Sequence, residues 1–224
     1  MRKNTILFAS IALLLGCSAS NELRVSWKTG EYEPKTYKNI GVVAILPKTS
    51  TRVEIETAVA DAFAVRGIPC RTTWSIWAFA NNPELLKEAG FEGENMKKII
   101  IQKVTEQKID ALLVISLFDS KKETRYVPGR SASIGVGFSP GMYPAYGYPY
   151  YGYIGYSFTT MSEPGYYEDA STYFTETNLY DIASEKLIWT GQISTEMQSP
   201  LEEEVYKFAR VLVGGMLKDK VLTK

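Results

Sequence analysis

The chain has 224 residues, 45% of them hydrophobic, with 25 basic and 25 acidic side chains and no histidine. The missing histidines exclude Ser/His/Asp and Cys/His nucleophilic sites and remove the commonest metal ligand, and two cysteines are too few for a thiolate cluster. Balanced charge gives no field strong enough to hold nucleic acid or an anionic surface.

At the N-terminus, Arg2 and Lys3 precede an apolar run from Ile6 to Leu15 that ends at Gly16 and Cys17. About ten apolar residues cannot cross a hydrocarbon core of roughly 30 Å, so the segment reads as a secretory signal over residues 1–16 and not as a span. Leu14-Leu15-Gly16-Cys17 resembles the lipobox of bacterial lipoproteins. That resemblance implies a diacylglycerol on the Cys17 sulfur, cleavage before Cys17 and acylation of the new amino group. Several acyl chains anchor firmly where one holds only marginally. Cleavage removes Arg2 and Lys3 and leaves 23 basic against 25 acidic residues, a net charge near −2. Ser18, in place of Asp, follows Cys17, which in lipoproteins of this type implies sorting to the outer membrane, with the domain facing the periplasm. With Cys17 acylated, Cys70 is the remaining thiol; after Ile68-Pro69 it reads as a small core residue.

Residues 17–38 are polar and mixed and read as the lipidated N-terminus and its tether, with the domain occupying 39–224. Ile40 to Leu46 is a continuous apolar run closed by Pro47, the pattern of a strand buried on both faces. Thr51 and Glu54 have capping-box spacing, and Ile55, Val59, Ala62 and Phe63 then share one helical face that ends at Gly67. Ile68–Thr73 predicts a second strand, followed by Trp74, Trp77 and Phe79, aromatics expected to pack on the sheet. A helix is predicted from about Asn95 to Lys108 on Met96, Ile99, Ile100 and Val104, and Asp110 leads into a third buried strand, Ala111 to Phe118. This β-α-β-α-β order favours right-handed crossovers and a parallel start to the sheet.

From Val127 the pattern changes. Residues 126–167 hold ten of the 15 tyrosines, eight of the 17 glycines and five of the ten prolines, which disfavours a regular core element. The Gly/Tyr/Pro-rich insertion, 127–167, has three readings: a flexible loop without a partner, an aromatic surface that orders on binding, or, for Tyr151 to Phe158, strands at a membrane interface. Tyrosine gives large contact area with few rotors, as in adaptable binding loops, and also favours membrane interfaces. The candidate partner-binding residues are therefore Tyr143, Tyr146, Tyr148, Tyr150, Tyr151, Tyr153 and Tyr156.

Beyond the insertion, Glu168–Tyr180 and Lys186–Thr195 predict a β-hairpin turning through Asp181–Glu185. Ser199, Pro200 and Glu202 predict the start of a last helix, whose stripe is Leu201, Val205, Phe208, Ala209, Leu212 and Met216. The expected fold is thus α/β (α+β): a mixed sheet with a parallel start and a C-terminal antiparallel hairpin, packed by three helices and carrying one long insertion.

The Val42-Val43-Ala44-Ile45-Leu46-Pro47 strand, the Asp110-Ala111-Leu112-Leu113-Val114 strand and the Leu179-Tyr180-Asp181 to Lys186-Leu187-Ile188-Trp189 hairpin resemble an uncharacterised family of envelope lipoproteins. These are similar in layout to the TolB N-terminal domain and to the LpoB and CsgG lipoproteins. The resemblance covers roughly residues 38–220 outside the insertion, and implies a non-enzymatic domain that contacts envelope machinery. Gly135 to Gly141 lacks the Gly-Lys-Ser/Thr ending of a phosphate loop. Glu54 and Glu56 stand two apart on a predicted helix and do not share a face; they, Asp110 and the acidic turn Glu202-Glu203-Glu204 read as capping and solvation. The expectation is a lipid-anchored binding or assembly module without cofactor, metal or catalytic residue. Its partners are the membrane, through Cys17, and an envelope protein or a second copy. The alternatives are a carboxylate-dependent periplasmic hydrolase and a subunit of an outer-membrane export pore.

Overall fold

The computed structural model describes residues 20–30, 32–77, 93–121 and 171–222. They form β1 (Asn21–Lys28), β2 (Ile40–Ile45), α1 (Thr49–Ala64), β3 (Cys70–Thr72), α2 (Gly93–Glu106), β4 (Ala111–Lys121), β5 (Thr172–Asp181), β6 (Lys186–Glu196) and α3 (Leu201–Lys218). One sheet holds the six strands in the order β1-β6-β5-β4-β2-β3. Strands β3, β2 and β4 are parallel, while β4, β5, β6 and β1 run antiparallel in sequence across the sheet. This is the mixed α+β architecture expected from the sequence.

Parallel strands must be covered on both faces, because their crossovers place helices there. On one face Val42, Ala44, Leu113 and Ile115 pack with Val59 and Phe63 of α1 and Phe208 and Leu212 of α3. On the other, Val43, Ile45, Leu112 and Val114 pack with Ile100 and Val104 of α2 and with Trp77. Trp77 thus meets the sheet as expected; Trp74 does not, and stands 41% exposed. Phe79 lies outside the described residues.

The tether reading of residues 17–38 requires correction. Asn21–Lys28 is a strand, paired from Asn21↔Thr195 to Lys28↔Trp189 along β6. Leu23, Val25 and Trp27 alternate with polar residues, but the register shifts between Leu23 and Val25 and leaves Val25 and Trp27 exposed, so the alternation marks no single buried face on this edge strand. Leu23 reaches across to α3, where a Cβ on Gly215 would fall 2.6 Å from its Cδ2. A Cβ on Gly191 would likewise strike the ring of Trp189. These two glycines allow the close approach that seats β1 and β6 against α3.

Both expected capping boxes are also corrected. Helix α1 starts one turn early, at Thr49 after Lys48, and Pro200 occupies the cap position of α3; neither cap makes a side-chain hydrogen bond. The close of α1 follows expectation, with Gly67 at φ 72° and Ile68 N–H donating to Phe63 O, which satisfies carbonyls the helix leaves open.

Glu56, expected to be solvated, is fully buried with Arg52. Its Oε1 accepts from Arg52 Nε at 2.7 Å and from the Ala44 amide at 3.0 Å. Its Oε2 accepts from the Thr73 and Trp74 amides at 2.6 and 2.7 Å. Arg52 Nη1 in turn donates to Trp77 O at 2.6 Å. One carboxylate therefore joins the end of β2, helix α1 and the turn after β3. Removing one member of a buried ion pair strands the other charge and typically costs about 3–5 kcal/mol. Glu56→Gln should lower the unfolding free energy read from urea titration by about 3–5 kcal/mol, whereas Asp119→Asn, at an exposed position, should leave it unchanged.

Candidate functional site

The site expected from the sequence lies outside the described residues: Cys17 and Tyr143, Tyr146, Tyr148, Tyr150, Tyr151, Tyr153 and Tyr156 all fall in segments 1–19 and 122–170. The sheet nevertheless fixes where both segments attach. Asn21 pairs with Thr195, Thr195 with Tyr173, and Tyr173 with Ser120. One row thus crosses β1, β6, β5 and β4, and three strand spacings separate its ends, about 14 Å. Segment 1–19 arrives at one side of this row, and segment 122–170 leaves and rejoins at the other. Sequence reasoning, which placed the fold's start at residue 39, could not bring the two together.

At this end the chain is fixed as soon as it enters the fold. Ser20 and Asn21 are buried, 7% and 4% exposed, and Ser20 O accepts from the Glu196 amide at 2.7 Å. Asn21 Nδ2 donates to Glu204 Oε2 at 2.9 Å, while its Oδ1 accepts from Thr195 Oγ1 at 2.6 Å. Glu204, expected to be a solvated member of an acidic turn, is instead buried, and its Oε1 accepts from Lys207 Nζ at 2.9 Å. Burial raises the Glu204 carboxyl pKa, but hydrogen bonds from Ser20, Lys207 and Ser199 outweigh it and hold the group below its ordinary value. The first turn of α3 adds a favourable dipole end for that charge.

The opposite end of the sheet carries a second polar cluster. Asp181 Oδ1 accepts from Lys35 Nζ at 2.6 Å and from Tyr37 OH at 3.2 Å, and its Oδ2 accepts from Ser184 N and Oγ. Burial pushes the Asp181 carboxyl up, but Lys35 and Ser184 more than offset it, so the net shift is downward. Asp110 accepts from the amides of Lys38 and Asn39 at 2.7 and 3.0 Å. These carboxylates hold backbone and turn; none is paired with a second carboxylate in a cleft. Burial pushes the Cys70 thiol far above its ordinary range, which removes the thiolate that nucleophilic or metal chemistry would need. Among the described residues, no three His, Cys, Asp or Glu side chains converge as metal ligands.

The chain is thus an α+β domain whose mixed sheet brings its N-terminal entry and its Gly/Tyr-rich insertion to one end. No family model matches it, and neither does any curated protein. Among solved structures it is similar to the PelC dodecamer of Paraburkholderia phytofirmans, with a TM-score of 0.41 and 11% identity over 89% of this chain and 99% of that one. A second, variant form of that dodecamer gives 0.40 and 11% over 84% and 96%. The lipoprotein GNA1162 of Neisseria meningitidis gives 0.36 and 12% over 80% and 98%. Likeness at this level does not carry a function across.

The depressed carboxyls of Asp181 and Glu204 contribute to the acid limit of the fold. A folded-state pKa below the unfolded value contributes stability that is complete above the unfolded pKa and is lost as pH falls through the folded one. The unfolding free energy should therefore hold its level down to about pH 5 and fall below about pH 4. Glu204→Gln should shrink that acid loss and lower stability at pH 7 by about 1–3 kcal/mol, read from urea titrations across the pH series.

Proposed function

We propose that this chain is a lipid-anchored protein of the bacterial cell envelope, a non-enzymatic binding or assembly module held at the outer membrane through Cys17 and facing the periplasm. The observation that carries the reading is the signal ending in Leu14-Leu15-Gly16-Cys17, with buried Ser20 only three residue steps further on. No helix among the described residues is long and apolar enough to cross a membrane, so in this reading attachment falls to the acyl chains on Cys17. Several such chains, at about 0.8 kcal/mol per buried methylene, make release negligible.

The two fully buried carboxylates, Glu56 and Glu204, have structural roles. Glu56 spends both oxygens on Arg52 and three backbone amides, and Glu204 spends both on Asn21 and Lys207. A general acid or base needs a free oxygen within reach of substrate. Partner contact is assigned to Tyr143–Tyr156 in the insertion, whose composition suits an adaptable surface.

Two measurements test the reading. In cells that process lipoproteins, the intact mass should correspond to a chain beginning at an acylated Cys17, and Cys17→Ser should shift the protein from the membrane to the soluble periplasmic fraction. A chain that retains residues 1–16, or carries no acyl group, would overturn the anchor. Separately, a photo-crosslinking amino acid at Tyr146, Tyr150 or Tyr153 should capture one discrete envelope protein or a second copy of this chain. Background labelling at all three positions would overturn the assignment of the insertion to partner contact.

A further inference from the structure

The strands of the antiparallel half outrun the parallel half at the end where the N-terminus enters. Strand β2 stops at Ile45, opposite Ser116, but β4 continues to Lys121 alongside Thr172–Thr175 of β5. Ile193–Glu196 and Asn21–Arg24 complete this projecting arm. Ser20 is three residue steps from Cys17, and a fully extended chain covers at most about 3.3–3.6 Å per residue. Cys17 can therefore lie no more than about 11 Å from the buried Ser20. An interfacial zone of headgroups is itself several ångström deep, so an acylated Cys17 holds the tip of the arm within a few ångström of the bilayer surface.

The tip carries an apolar side chain that the protein's own core does not use. Phe118 is 53% exposed. It sits where the β4–β5 register shifts between Leu117 and Asp119, and its ring lies 6.2 Å from that of Phe174. Leu201, at the start of α3, is exposed on the neighbouring rim. The charges around them are mostly acidic, with Glu22, Asp119, Glu196, Glu202 and Glu203 exposed against Arg24 and Lys121. That balance gives no attraction to anionic lipid, so contact here rests on apolar insertion and on the enforced proximity of the anchor.

We propose that the tip of the β1-β6-β5-β4 arm is a membrane-contact surface. Phe118 inserts into the interfacial zone of the bilayer that holds the Cys17 acyl chains, so the domain stands on the membrane at a fixed orientation with its Lys35–Asp181 end pointing away. This rests on the lipid-anchor reading. The segment 122–170, with ten of the chain's tyrosines, joins the arm at the same tip, which places its attachment points within reach of the same interface.

The experiment uses the full chain, lipidated in cells and reconstituted into vesicles of phosphatidylcholine or of phosphatidylethanolamine with phosphatidylglycerol. Cys70→Ser removes the free thiol, and Phe118→Cys, Leu201→Cys or Val65→Cys supplies one site for a nitroxide label. Val65 is 83% exposed at the far end of α1, so its label reports the distal end. The expected result is that a label at 118, and less deeply one at 201, collides more often with oxygen than with a water-soluble nickel complex in both lipid mixtures, while a label at 65 shows the reverse. If intact mass shows Cys17 acylated and all three labels behave as water-exposed, the orientation is overturned while the anchor stands. An unacylated Cys17 overturns both. Shielding of position 118 from both reagents, increasing with protein concentration, also overturns the membrane contact and assigns the tip to a second copy of the chain.

Discussion

The Glu56 carboxylate is the constraint on which the rest of the fold depends. It gathers donors from β2, α1 and the turn after β3, three segments that meet only at the C-terminal edge of the parallel strands. A buried carboxylate is tolerable only when its oxygens are satisfied, so the crossover helix and both strands have one mutual arrangement. In open α/β sheets the space beyond the carboxyl ends of the strands is where ligands usually bind. Here a side chain of α1 fills part of that edge and ties up its amides. The parallel half is thereby braced at the edge where open sheets usually bind ligands.

The antiparallel half has an unusual order in the chain. Strand β1 comes first in sequence but pairs only with β6, a partner about 170 residues later. The entry point is then locked by Asn21, Glu204 and Thr195, residues drawn from β1, α3 and β6. The N-terminus is therefore secured only when the last third of the chain has folded.

Much of the frame was legible from sequence. The runs Ile40–Leu46 and Ala111–Phe118 are continuous because both faces are covered, and such runs stand out from their surroundings. The hairpin was equally visible, with its Thr, Tyr and Phe content on either side of Asp181–Glu185. Three features were hidden for a shared reason: their polar residues look solvated when read one at a time. Asn21–Lys28 carries three charges in eight residues, as an edge strand can, and Glu56 and Glu204 are acidic residues whose partners arrive from distant segments. The i, i+4 spacing of Arg52 and Glu56 is visible in the sequence, but nothing local distinguishes a buried pair of that spacing from an exposed one. The capping residues misled because a box of the right spacing inside a helix has the same letters as one at its start. The candidate site was legible only as two separate features, the lipobox and the tyrosine-rich insertion.

Their convergence follows from strand direction. Strands β1 and β5 run the same way, since each is antiparallel to β6, and β4 is antiparallel to β5. The start of β1, the end of β4 and the start of β5 must then fall at one end of the sheet, whatever the lengths of the connecting segments. A long insertion between β4 and β5 consequently has both its roots beside the N-terminal entry. A module carried on a tether of some twenty residues would sample a wide volume, and its effective concentration for any partner would fall with tether length. With the fold beginning at Ser20, that dilution is nearly absent. If Cys17 is the anchor, the roots of the insertion at Lys121 and Ser171 are held on the same side of the domain as the membrane.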